Sequence, residues 1–574
     1  MARRAAAKID PAQPDMPAKI RAVDAWYWAV NNAIRLTAGP FAHAGHEYLA
    51  EPLRDTHPNQ VAMKGSQMGW TEKSVLKTLH GMIHRRYPQG VLHLFPTADD
   101  VGDFSKARFN PLIEHNPDHI GRYVRSTDAA NIKKIGSSML YLRGARSTQR
   151  IEGLASTSSK LKSIPVDRIV FDEYDEMDQA MIALAVERVA HSTVKEIEKL
   201  STPTVPDYGI DAAYKASDRH VWAIRCERCQ HDTVLEIEFP KCLRRRQDGT
   251  AYRACVRCGG EIHQRAGRWV AMSPSVKDCR GWWISQLCSA YVDPTVILDE
   301  HERISALPPG ERQVFYNSKL AAAYVDAANR LSPQDVYRCI GQDAMETRHD
   351  GPTAMGVDVG AVLHVVIGYR PAPGLLKICH AARLDSWNDL HDLALRFHVE
   401  CAVIDREPEI HKAREFQQAE RFRVFLADYQ EYQRGDARWD LDHGLVVMNR
   451  TELLDRVHGA VTTPGRLEIP RLTSEIEQYA AEMSNMVKVL VEKPNGSRIY
   501  EYKQVGPDHY RHATAYFLLA AERIPVATPA GLPWMQRTMT HAIMDEDPLG
   551  RGRPQAPAGR GYSQAVTDYN PFGR

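Results

Sequence analysis

Short, continuously apolar runs separated by stretches of helical periodicity set the rhythm of this chain. Val61-Ala62-Met63, Val91 to Phe95 and Ile169-Val170-Phe171 are apolar throughout and do not alternate, as expected of strands buried on both faces. With helix-like stretches between them, they predict a mostly parallel α/β sheet over residues 25–215. The same grammar returns over residues 346–526 in Ala354-Met355-Gly356-Val357, Val362 to Tyr369 and Ala402-Val403-Ile404, and two of these three runs lead directly into an acidic residue. Between the two α/β parts lie a cysteine-bearing segment, residues 216–290, and a helical connector, residues 291–345. The ends, residues 1–24 and 527–574, lack apolar periodicity and are rich in Ala, Pro, Lys and Arg or in Pro, Gly and Arg, so both read as mobile tails. No internal repeat is present.

Composition narrows this picture without redirecting it. A chain of 574 residues is several times a typical single-domain length, and its 43% hydrophobic and 25% charged residues are ordinary for a folded globular protein. The net charge of +1 means that any contact with nucleic acid has to come from local basic surfaces such as Arg244 to Arg246. No run of eighteen apolar residues occurs and the N-terminus lacks the apolar segment of a secretory signal, which predicts a cytoplasmic protein with no membrane partner. The 10 cysteines are too sparse for a disulfide scaffold.

The candidate chemistry begins at Lys64-Gly65-Ser66-Gln67-Met68-Gly69-Trp70-Thr71, which follows an apolar strand and opens a helix. Exposed backbone N–H groups and a helix N-terminus favour anions, so this is a place for phosphate. An ordinary strand-to-helix turn would read the same way, and Trp70 stands where the common phosphate loop has lysine, with Lys64 supplying an ammonium at the front of the loop instead. A hundred residues on, Ile169-Val170-Phe171-Asp172-Glu173 is an apolar strand ending in two acids. Asp172 is placed to hold Mg²⁺ and Glu173 to polarise the attacking water; the plain alternative is a buried strand with a solvated acidic end. Ser201-Thr202-Pro203 follows a further strand end, where a hydroxyl could sense the γ-phosphate.

Two Cys-x-x-Cys pairs, Cys226/Cys229 and Cys255/Cys258, can each give two thiolates to one tetrahedral Zn²⁺, which would then be structural because no coordination position stays open. Reduced core cysteines without metal are the alternative. In the second α/β part, Asp358 lies in the first strand, Asp405 ends another, and Asp508 begins Asp508-His509-Tyr510-Arg511-His512 just before the apolar helix Ala515 to Ala521. Each acid alone reads as a strand-end cap. In this order, two strands and a helix, they form the set that holds two Mg²⁺ or Mn²⁺ ions in a nuclease of RNase H type.

The displaced loop lysine, the Asp-Glu strand end, the Ser-Thr-Pro triplet and the ordered acids together resemble the large subunit of tailed-phage terminases, nearest the lambda-like group, over residues 35 to 525. The resemblance implies an ASCE-type P-loop ATPase, a zinc-ribbon-like insertion and an RNase H-like nuclease. It also implies that Lys64 to Thr71 and Asp172 bind ATP with Mg²⁺, that Glu173 is catalytic, that Ser201 to Pro203 couple hydrolysis to motion, and that Asp358, Asp405 and Asp508 cut DNA. Tyr48 stands where such proteins contact adenine, and Arg143 or Arg146 is expected to complete the γ-phosphate site. His512 occupies a position where the family usually has a second Asp. The implied partners are double-stranded DNA, a small terminase subunit and the portal protein of a prohead, with a homo-oligomer docked on the portal in the host cytoplasm. The competing expectations are a cellular helicase-nuclease and a non-catalytic, ATP-binding assembly protein.

Overall fold

The computed structural model describes residues 16–37, 39–145, 164–304, 306, 309–326, 329–492 and 498–527. The expected C-terminal tail from 528 onward, residues 1–15 and Arg146 lie outside the described residues. Within the expected N-terminal tail, Met16–Val23 is a helix, tied down where the Arg21 carbonyl meets Nε2 of the buried His80 at 2.8 Å.

The first sheet has eleven strands: β1 (Asn59–Lys64), β2 (Val91–Phe95), β3 (Val124–Ala129), β4 (Ile132–Ile135), β5 (Ser138–Gly144), β6 (Arg168–Asp172), β7 (Glu196–Ser201), β8 (His220–Arg225), β9 (Asp232–Val234), β10 (Gly267–Ala271) and β11 (Arg280–Ile284). Their order is β9-β8-β11-β1-β7-β6-β2-β5-β4-β3, with β10 also pairing β8. From β8 to β5 the strands run parallel. The three apolar runs that predicted this sheet are β1, β2 and β6, and every residue of β2 and β6 is buried. The sheet does not stop at residue 215 as the apolar pattern suggested. Strands β8 and β11 extend it beyond the cysteine-bearing loops, which therefore leave from its edge and return to it. These strands contain Trp222, Trp282 and Trp283, a run of aromatics that reads as strand only once the neighbouring β1 is in place.

Beneath the helix α1 (Trp70–Ile83) the first sheet encloses charge. Glu196 and Glu198, two residues apart on β7, face the same side and are each about 1% exposed. The fully buried Arg168 guanidinium bridges both carboxylates, Lys73 Nζ meets Glu198 at 2.5 Å, and the Tyr87 hydroxyl donates to Glu196 at 3.0 Å. Buried carboxylates persist only when paired and hydrogen-bonded. Arg168→Met is expected to lower stability by about 3–5 kcal/mol, the cost of leaving buried charge uncompensated, and urea unfolding followed by circular dichroism checks it. Lys73 and Ser74 on α1 share this network, so the same variant should also raise the KM for any nucleotide held at the helix start.

The second sheet has eight strands: β12 (Thr353–Asp358), β13 (Leu363–Ala372), β14 (Leu375–Leu384), β15 (Val399–Asp405), β16 (Arg423–Tyr429), β17 (Arg438–Asp440), β18 (Leu445–Met448) and β19 (Leu467–Glu468), ordered β17-β18-β16-β15-β12-β13-β14-β19. β12, β13 and β14 form an antiparallel meander, while β15, β16 and β18 continue in parallel from β12. A hairpin, β20 (Met486–Glu492) and β21 (Arg498–Gln504), precedes the buried helix α2 (His509–Ala521). α2 lies directly on β12 because Gly356 has no side chain: a Cβ there would stand 2.1 Å from the Ala513 carbonyl and 2.2 Å from the Phe517 amide.

Candidate functional site

Each α/β part presents polar side chains at the ends of its central strands. In the first, β1 turns through Gly65 to Gly69 into α1. Gln67 and Gly69 both take positive φ, 63° and 73°, and Lys73 is the first residue whose amide bonds back along the helix, to Gly69 at 3.0 Å. The amides of Trp70, Thr71 and Glu72 therefore open the helix unpaired along its axis, the usual cradle for an anion. The beginning of the loop behaves differently from expectation. The amides of Gly65 and Ser66 donate to the carbonyls of Ile284 and Ser318, both at 2.8 Å, so β11 and the helical connector clamp the loop where free N–H groups were expected. The side chains of Met68 and Trp70 are about 1% exposed and pack into the core, so neither faces a ligand. Trp70 replaces the usual lysine without replacing its role.

Lys64, at the front of the loop, carries the ammonium instead. Its ammonium, 6% exposed, meets Glu173 Oε1 at 2.7 Å, and Thr71 Oγ1 donates to Asp172 Oδ1 at 3.2 Å. Asp172 and Glu173 thus stand opposite the loop although a hundred residues separate them in sequence, because β6 is one strand from β7 and β7 pairs with β1. Glu173 has φ 59° and ψ 55°, a left-handed conformation that is strained for a non-glycine residue and is found where surrounding structure over-determines it. Its second oxygen lies 3.5 Å from Ser201 Oγ and 3.4 Å from the Thr202 amide, so the Ser-Thr-Pro triplet touches the same carboxylate as the lysine.

Two residues near this site escaped sequence reasoning. His93 on β2 is about 1% exposed, and its Nε2 has no hydrogen-bond partner and stands 3.7 Å from Asp172 Oδ2; a lone histidine inside an apolar strand was its only signal. Arg108 donates to Glu72, the residue after Thr71, at 2.9 Å. The guanidinium of Arg143 turns away to the carbonyls of Asn131 and Leu142, at 2.6 and 2.9 Å. Tyr48 is also displaced from its expected part. It is 3% exposed and its hydroxyl donates to the Met68 carbonyl at 3.2 Å, which buttresses the loop from behind.

The four paired cysteines converge. Sγ atoms of Cys226, Cys229, Cys255 and Cys258 all lie within 4.8 Å of one another, with Cys226 to Cys258 at 3.6 Å and Cys229 to Cys255 at 3.5 Å. Burial opposes ionisation of Cys255, but backbone N–H groups of Cys258 and Arg257 and the neighbouring cysteines bring its thiol down to about 6.

In the second part, Asp358 and Asp405 end the adjacent parallel strands β12 and β15. Burial, and then the Asp358 carboxylate beside it, push Asp405 up to about 6. The Tyr516 hydroxyl donates to Asp405 at 3.0 Å. His364, opposite Asp358 on β13, stacks on His509 at 4.5 Å between ring centroids, and His509 Nδ1 meets Asp358 Oδ2 at 2.9 Å. The tight donor group is therefore Asp358, His364 and His509, not the three acids alone. Asp508 precedes α2 without capping it; it accepts from Gln504 at 2.7 Å and stands 3.6 Å from His512. His512 is held in turn by Tyr429 at 2.9 Å. Asn449 caps a helix and Arg450 donates to the Tyr502 carbonyl, which leaves both in structural roles. Gly356→Ala is expected to push α2, with Asp508 and His509 at its start, off the sheet. A displacement near 1 Å corresponds to about a 10²-fold loss in any reaction run there, measurable as metal-dependent cleavage with ATP turnover as the control.

Fold and sites together define two α/β parts, the first with a strand-loop-helix facing Asp172 and Glu173 and the second with carboxylates at neighbouring strand ends. Residues 37–282 match the family of the phage terminase large subunit gpA, ATPase domain. The first α/β part is therefore similar to that ATPase domain, and the match ends with it. Among solved structures, the large terminase of bacteriophage HK97 is similar in fold, with 11% identity and a TM-score of 0.50 over 89% of this chain and 100% of that one. A large terminase from a thermophilic bacteriophage is 12% identical over 85% of this chain and 100% of its own, with a TM-score of 0.29. The large terminase nuclease from thermophilic phage G20c, solved with bound magnesium, is 15% identical over 34% of this chain and 99% of its own, with a TM-score of 0.24. No curated protein matches the chain.

Proposed function

We propose that this chain is a viral DNA-packaging motor subunit, which hydrolyses ATP to move double-stranded DNA into a prohead and cuts concatemeric DNA with a metal-dependent endonuclease. The observation that carries the motor half is the Glu173 carboxylate, held by Lys64 on one oxygen and approached by Ser201 and the Thr202 amide on the other. In the resting arrangement Lys64 neutralises Glu173; with nucleotide present, the lysine is placed to turn to phosphate and leave Glu173 free to orient the attacking water. Ser201 and Thr202 would feel that change directly. The stretch that follows carries it outward, since Asp175 grips Thr204 and Ile210 while Val205 packs with Val487 and Val489 of the β20-β21 hairpin. The family match over residues 37–282 supports this reading over a cellular helicase-nuclease or an inert assembly protein.

For the cutting half, Asp358 and Asp405 on neighbouring strand ends, with Asp508, are the residues that would hold Mg²⁺ or Mn²⁺, and His509 is a candidate fourth donor. Metal ions bound there supply an activated water and stabilise the leaving oxygen of a phosphodiester. The four converging cysteines fit a single structural Zn²⁺, since thiolates at tetrahedral zinc stand about 3.8 Å apart for Zn–S bonds near 2.3 Å. The small terminase subunit, the portal and a ring of copies on it are the partners that this function requires.

The test is to measure ATP turnover with and without double-stranded DNA, and plasmid cleavage with Mg²⁺ or Mn²⁺, on one preparation of the full chain. DNA-stimulated turnover together with metal-dependent cleavage is expected. A folded protein that cleaves with neither metal sinks the nuclease half, and turnover indifferent to DNA sinks the motor half.

A further inference from the structure

A third donor set lies outside both active sites and outside the four-cysteine cluster. We propose that Glu346, His349 and Cys379 form a binding site for one thiophilic divalent cation of the zinc class, which fastens the chain entering the second sheet to strand β14. One ligand atom from each of the three residues lies within 4.8 Å of the others. Glu346 Oε2 and His349 Nδ1 are 2.8 Å apart. Two donors on a tetrahedral ion at about 2.0–2.1 Å each stand about 3.3 Å from one another, so the pair needs to open by roughly half an ångström, within reach of side-chain rotation.

The donors are held in place by contacts other than their own. The Glu346 amide donates to the Cys379 carbonyl at 2.9 Å, and His380 Nδ1 meets the Glu346 carbonyl at 2.8 Å. The His349 amide donates to the Arg396 carbonyl at 3.2 Å, the His349 carbonyl meets His398 Nδ1 at 2.6 Å, and the His349 ring stacks on Tyr369 at 4.5 Å. Cys379 is 2% exposed on β14, its thiol 3.5 Å from the Ile367 carbonyl. Backbone and ring contacts thus preorganise both sides of the site before any ion arrives.

The chemistry matches a soft divalent ion. A glutamate, a thiolate and a neutral imidazole carry two negative charges and neutralise one M²⁺, which suits a largely buried site. A sulfur donor selects zinc, cadmium or cobalt over the magnesium used elsewhere in the molecule. Glu346 and His349 are 29% and 20% exposed, which leaves a fourth position to water. The gain is structural: residues 341–352 form neither helix nor strand, and an ion would pin this irregular entry to the sheet that carries Asp358.

Loading the full chain with a small excess of Zn²⁺, removing unbound metal by gel filtration and counting zinc per chain tests the proposal, with wild type, Cys379→Ser and His349→Gln side by side. Each variant is expected to hold one zinc fewer than wild type, whatever the four-cysteine cluster retains. His349→Gln should weaken Co²⁺ binding at this site by at least about 10-fold and diminish the part of the thiolate-to-cobalt absorption that exceeds the four-cysteine contribution, the part that Cys379→Ser abolishes. His349 is partly exposed, so its variant reports even if Cys379→Ser does not fold. Equal zinc content in wild type and His349→Gln, or a cobalt–thiolate absorption undiminished in that variant, overturns the proposal.

Discussion

Glu173→Gln is expected to lower ATP turnover by about 10²–10⁴-fold, the size of effect that follows loss of a positioned acid–base group, while ATP still binds. Glutamine keeps an acceptor for Lys64, which now meets the carboxylate at 2.7 Å, so the loop should not collapse around a newly unpaired buried ammonium. What disappears is the charge to which the proposed mechanism gives the orientation of water toward the γ-phosphate. Single-turnover hydrolysis measured beside nucleotide binding separates the two effects, and turnover within about tenfold of wild type would remove Glu173 from the chemistry. The left-handed backbone at Glu173 makes Glu173→Gly informative as well: it relieves the strain but leaves Lys64 without its carboxylate, so a protein no less stable than wild type would show that the relieved strain offsets the lost ion pair.

Asp358→Asn is expected to reduce DNA cleavage by about 10²–10³-fold or more, the range seen when a group acting directly on the reacting oxygens is removed, with ATP turnover unchanged. Asp358 lies at the centre of its site, beside Asp405 on the next strand and 2.9 Å from His509. Without its charge the site loses an anionic ligand and the carboxylate whose hydrogen bond raises the His509 imidazole above its ordinary range. His512→Asp provides the complement. It restores the carboxylate that the terminase resemblance places there, and it removes the Tyr429 contact at 2.9 Å. Cleavage that rises in that variant, assayed with Mn²⁺ and Mg²⁺ in parallel, would show that this chain has a differently tuned metal site.

The candidate acids stood out in the sequence because each ends a continuously apolar strand, and strand ends are where a parallel sheet exposes functional groups. Asp172, Asp358 and Asp405 stand at such ends. The cysteine pairs were legible from spacing alone. Errors arose where a residue's role depends on what packs against it. Trp70, Gly65 and Ser66 sit in the loop that the pattern located, yet one is core and two give their amides to Ile284 and Ser318. Tyr48 lies beside the loop, where its hydroxyl donates to the Met68 carbonyl. His93 and Arg108 carried almost no signal, because a lone histidine in a strand and a lone arginine in a helix have many uses.

The sequence by itself determined the two α/β parts, the strands that bear the acids, and the four-cysteine set, because local periodicity and short-range spacing follow from how each residue meets its immediate neighbours. Only the tertiary structure decided which of those residues meet. Strand order brings Lys64 to Glu173 and Asp358 to Asp405; β8 and β11 carry the first sheet past the cysteine loops; Gly356 lets α2 settle on β12; and Cys379 reaches Glu346 and His349. These contacts join positions separated by tens to hundreds of residues, and they follow from burying apolar faces together, a constraint that acts on the whole chain and leaves no mark at any one position.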